Sequence, residues 1–129
     1  MPYNFEIEQL LDILRECPEY APGHHLGRPF MSAYQISISF AERFPEHPAV
    51  TNLGIGGMGT GAYESLAQQI ARYLSQEISR ETDRPIEGGF IAHQNIDQFS
   101  FNSPGGSDPI QVSTLRSERA HSIFRYTGA

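Results

Sequence analysis

Apolar residues recur at helical spacing in three stretches of the chain, and alternate or cluster as strands do only in its last third. Ile7, Leu10, Leu11 and Leu14 stand at i, i+3, i+4 and i+7, which a 3.6-residue period places on one face. Asn4 precedes them as a helix-capping residue, and Glu6 and Glu8 suit the positive end of a helix dipole. A first helix is expected from about Phe5 to Glu16, stopped by Pro18 and then by Pro22-Gly23.

The next stretch reads two ways. Tyr34, Ile36, Ile38 and Phe40 alternate with Gln35, Ser37 and Ser39 as in a half-buried strand. On a helical wheel Met31, Ser32, Gln35, Ser39, Glu42 and Arg43 gather on one arc. Phe30, Ala33, Tyr34, Ile36, Ile38, Phe40, Ala41 and Phe44 fill the other, with Ser37 alone out of place. Pro29 suits a first helical position and Pro45 a stop, so a second, well-buried helix is predicted from Pro29 to Phe44. A third, from Ala62 to about Arg80, would bury Tyr63, Leu66, Ala67, Ile70, Leu74 and Ile78 and expose Glu64, Ser65, Gln68, Arg72, Ser75 and Ser79. Ala49 to Leu53 reads as a short strand at most.

After Asp83-Arg84-Pro85 the periodicity changes. Phe90-Ile91-Ala92, following Gly88-Gly89, then Gln98 to Phe101, Ile110 to Leu115 and His121 to Tyr126 read as strands, with a turn cluster at Ser103 to Asp108. Helices first and strands after them predict an α+β fold: three helices followed by an antiparallel sheet of three to four strands. A chain of 129 residues with no internal repeat fits a single domain.

Composition adds constraints. Apolar content of 39% with 19% charged residues describes a soluble globule able to fold alone or as a homo-oligomer. The net charge of −6 demotes nucleic acid and anionic membrane as partners, because both attract proteins through neutralised phosphates. All nine basic residues are Arg, which removes lysine-based chemistry and leaves planar donors suited to carboxylates and phosphates. One cysteine, Cys17, rules out an intrachain disulfide and suits a reducing cytoplasm. No signal peptide, transmembrane run or lipidation motif is visible, so a cytoplasmic protein is expected.

The principal candidate site is Gly54-Ile55-Gly56-Gly57-Met58-Gly59-Thr60-Gly61, a glycine-dense turn running into the third predicted helix. Gly54-x-Gly56-x-x-Gly59 matches the dinucleotide fingerprint formally, and Ala49 to Leu53 could be the strand before it, but Asp83 falls in the loop after the helix and too little chain follows for a doubly wound sheet. No Lys-Ser or Lys-Thr follows Gly61, so a nucleotide-hydrolysing loop is rejected. What remains is backbone donors at a helix start, a cradle for an anion. Gly56, Gly57, Gly59, Thr60 and Gly61, with Arg28 and His25 from the loop before the second helix, make up the expected ligand set. The alternative roles for the turn and for Arg28 are a plain connection and an ion pair with Glu19, Glu46 or Glu87.

His24-His25 with His47, His93 or His121 matches no zinc spacing, and no metal or cofactor is expected. No nucleophile, acid and base converge by spacing, which ranks an enzyme third. A small anionic, nucleotide- or phosphate-like ligand held without catalysis ranks first. A winged-helix-like module for DNA or protein ranks second, with the third helix as reader and Ser103 to Asp108 as wing. Arg116, Arg119 and Arg125 would add a basic patch if the last two strands formed a hairpin.

Overall fold

A computed structural model describes residues 3–17, 23–55, 65–80, 83–92, 94–96, 98–102, 108–113 and 122–128. In chain order the elements are α1 (Ile7–Arg15), β1 (Met31–Ser32), α2 (Ala33–Arg43), α3 (Pro48–Asn52), α4 (Leu66–Arg80), β2 (Ile86–Phe90), β3 (Gln98–Phe101), β4 (Ile110–Ser113) and β5 (Ser122–Tyr126). The fold is α+β, and its described strand pairs are all antiparallel.

Ile36 and Phe40 are fully buried and lie on a helix, so the wheel rather than the alternation gives the right reading of the central stretch. That helix begins later than Pro29. Met31 and Ser32 are extended and pair with Phe124 and Ile123 of β5. Ser32 then caps α2 reciprocally: its Oγ accepts from Gln35 N–H, and Gln35 Oε1 accepts from Ser32 N–H. Ser37, polar on an apolar arc, is accommodated by donating its hydroxyl to Ala33 O at 2.6 Å.

Residues 48–52 form a helix where the sequence suggests a short strand at most. Pro48 occupies the first helical position, and His47 Nδ1 accepts from Ala49 N–H at 3.0 Å. With Nδ1 an acceptor, the neutral ring carries its proton on Nε2, which donates to Asn4 O at 2.8 Å. The same imidazole stacks on Phe5 with ring planes 5° apart. His47 is thereby a structural residue joining the start of the chain to α3.

The strands sort differently from their order in sequence. β5 is central between β1 and β2, and β3 pairs with β4 in a separate two-stranded sheet. Among the described residues β4 and β5 are therefore not paired with each other as a hairpin. β2 begins at Ile86 and contains both glycines, where the sequence suggests a strand starting at Phe90. One core gathers Leu10, Leu11, Ile13 and Leu14 of α1, Ile36 and Phe40 of α2, Leu66, Ile70 and Leu74 of α4, with Ile86 and Phe124. A smaller cluster of Ala33, Tyr34 and Ala67 carries Phe99, Phe101 and Ile110 of the β3–β4 pair.

Candidate functional site

The helix that follows the glycine-rich segment begins later than the sequence suggests. Ser65 is not helical, and α4 opens at Leu66 rather than Ala62. Ser65 caps the helix: its Oγ accepts from Gln68 N–H at 3.1 Å. Leu66 N–H donates to Gly54 O and Ala67 N–H to Ile55 O, at 2.8 and 3.0 Å. The first-turn donors of α4 are thus spent on the chain itself, which leaves an anion none of them. Gly56, Gly57, Gly59, Thr60 and Gly61 lie outside the described residues.

Arg28 and His25 belong to a different region. Arg28 donates to Arg15 O at 2.8 Å, satisfying a carbonyl at the end of α1, and lies over the Tyr126 ring. His25 stacks on His24 with ring centroids 4.4 Å apart, and His24 Nδ1 accepts from Leu26 N–H. Arg125 binds the same loop through Leu26 O and Arg28 O, and pairs with Glu87 across the β2–β5 ladder. The loop from Gly23 to Arg28 is consequently fastened by side chains. Glu87, one partner considered for Arg28, belongs to Arg125.

A groove of about 790 Å³ opens between α4 and the β2–β5 sheet, within the 300–1,000 Å³ range usual for small-ligand sites. Gln68, Arg72, Ser75 and Gln76 line its helical wall, and Gly88, Gly89 and Phe90 the opposite wall. Ser122 and Phe124 also contribute. Phe90 is 68% exposed, unusual for a ring of that size. Thr127 N–H donates to Pro85 O, so the bonded pairs along the ladder alternate to Glu87↔Arg125 and Gly89↔Ile123. Gly88 and Phe90 accordingly turn their backbone groups away from β5, toward the edge of the sheet.

Arg72 is distinctive among the described arginines. Arg15, Arg43, Arg80, Arg84 and Arg125 each hold a carboxylate, and Arg28 a carbonyl. Arg72 is exposed on the groove wall and makes no ion pair among the described residues. The helical wheel places Gln68, Arg72 and Ser75 on one solvent-facing stripe but has no means of pairing that stripe with β2. Neither Arg28 nor His25 lines the groove.

The groove walls contain no histidine, cysteine or carboxylate for acid–base or nucleophilic chemistry among the described residues. Among the described residues no three His, Cys, Asp or Glu side chains are placed to share a metal ion. No described helix is long and apolar enough to cross a membrane. Comparison with known protein families, curated proteins and solved structures finds no match for this chain.

Proposed function

We propose that the chain is a non-enzymatic binding domain for a small anionic, nucleotide- or phosphate-like ligand, held in the groove between α4 and β2. The observation that carries this reading is Arg72, a guanidinium uncommitted among the described residues on the wall of a ligand-sized groove. An anion there would take its planar fork, with the Gln68 and Gln76 amides and the Ser75 hydroxyl close at hand. Phe90 offers a face on which a planar ring can stack. The amides of Gly57, Gly59 and Gly61, outside the described residues, are candidate further donors, since glycine lets a ligand approach the backbone closely. The lone Cys17 accords with a reducing cytoplasm as the place of action.

A thermal-shift screen of inorganic phosphate, pyrophosphate and nucleoside monophosphates tests the proposal. A ligand at a hundredfold excess over its Kd adds about 2.7 kcal/mol of apparent stability, which such a screen reads easily. The wild type and Arg28→Ala should respond to the same anion, and Arg72→Gln should not. Gly59→Ala should weaken the response if the turn contributes donors. Absence of any anion-dependent shift in the wild type would overturn the reading.

A further inference from the structure

Glu77 is a carboxylate where a helix facing the interior would ordinarily carry an apolar residue. It is 6% exposed, on the same helix as the core residues Ile70 and Leu74. Its Oε1 stands 2.9 Å from an Arg84 terminal nitrogen and its Oε2 3.4 Å from one of Arg80. Arg80 is largely exposed, whereas only about a third of the Arg84 side chain meets solvent, at 34%.

The Glu77–Arg84 contact is close without being aligned as a hydrogen bond. Glu77 Oε1 and Arg84 Nε are both buried and lack hydrogen-bond partners among the described residues. Charge therefore holds the two together: removing Glu77 would leave Arg84 without its carboxylate, and removing Arg84 would leave the buried Glu77 with the exposed Arg80 alone. Tyr73, one turn earlier, has its phenol pKa raised first by burial and then by the Glu77 charge, with Arg84 and Arg80 opposing.

Where this pair sits gives it a consequence. Glu77 belongs to the last turns of α4, and Arg84 stands at the root of β2, its carbonyl accepting from Ile86 N–H at 2.8 Å. Ile86 is buried, but every residue of β2 beyond it is exposed. The walls of the groove are thus fastened to each other at one end by the Glu77–Arg84 contact.

We infer that Glu77 is a positioning residue for the groove: through Arg84 it fixes β2 against α4, and with it the distance from Arg72 to Gly88 and Phe90. The effect on a ligand rests on the binding function proposed above; the effect on β2 does not.

The test combines amide hydrogen exchange with titration of inorganic phosphate and adenosine monophosphate on the wild type, Glu77→Gln, Arg84→Gln and the double variant. Each single substitution should speed exchange at the Glu87 and Gly89 amides by about tenfold or more, while Leu14 and Phe40 in α1 and α2 keep their protection. The double variant should be no worse than either single one, as expected for partners in one contact. Whichever probe the wild type binds should be bound more weakly by both single variants, in step with the exchange at β2. Unchanged exchange at β2, or an equal rise throughout the chain, would overturn the positioning role. If the wild type binds neither probe, the binding reading is unsupported for them, yet the exchange pattern still decides whether the pair holds β2. Should Glu77→Gln fail to fold, Arg84→Gln, at the more exposed partner, gives the same decision.

Discussion

Gly88 lies against the ring of Phe124, so closely that a Cβ at that position would come within 3.1 Å of two ring carbons and 3.2 Å of Ile78 Cδ1. Phe124 is buried in the main core and cannot retreat without disturbing it. Gly88→Ala should therefore cost about 1–3 kcal/mol through overpacking. Gly89, its neighbour, has nothing within 4 Å of the same position. Gly89→Ala should be neutral or stabilising by about 0.4–1 kcal/mol, since it restricts the unfolded chain without a clash. Urea denaturation of the two variants checks the contrast, and equal losses would show that the close approach is not what selects glycine.

The α2 cap offers a second measurement. Ser32→Ala removes the acceptor for Gln35 N–H and should cost about 1 kcal/mol. Ser32→Thr keeps an acceptor oxygen and should recover much of that loss. Thermal denaturation of the two variants gives the comparison, and a Ser32→Ala protein as stable as the wild type would contradict the cap.

Tyr34 supplies a pH dependence. Burial raises its phenol above the ordinary value, and it stacks on Phe101 at 5.5 Å between ring centroids. A raised acid pKa means the folded state holds the proton more tightly than the unfolded one. Its contribution is complete below the unfolded value of about 10 and is lost as pH climbs from there through the folded value. Stability should fall on the alkaline side of that point, and Tyr34→Phe should flatten the decline. A decline of the same steepness in the variant would assign it to other groups.

Duplex DNA distinguishes the groove from a nucleic-acid reader. Arg80, a cation on α4 that would serve such a reader, already sits beside Glu77, and the chain is acidic overall. Little binding is expected at about 0.15 M salt. Tight, salt-sensitive binding in fluorescence anisotropy, lost in Arg72→Ala, would favour a DNA-binding module instead.

The helices were legible because their signal is local. Leu10, Leu11 and Leu14 show their common face at a spacing of a few residues, and the wheel separates Ile36 and Phe40 from Gln35. Ser32 and Pro48 are less transparent. Their roles depend on whether the chain is already paired to β5 or turning after His47, which composition does not state. The strand order was hidden for the same reason, since only tertiary packing brings Met31 to Phe124. The groove inherits that difficulty: Arg72 was visible as an exposed residue, but its opposing wall is set by where β2 docks. The contact of Arg28 with Arg15 O is equally non-local, and its place beside Pro29 does not announce it.

The central place of β5 has a kinetic consequence. Arg125 reaches Leu26, 99 positions away in sequence, and the same strand supplies the pairing for both β1 and β2. α1, α2 and α4 can form from neighbouring residues and begin to pack before that strand is engaged, but neither β1 nor β2 has its ladder until it is. Closing so long a loop costs entropy before the sheet returns any of it. Refolding should accordingly show helical signal ahead of β5 protection, with insertion of the last strand as the step that completes the native state.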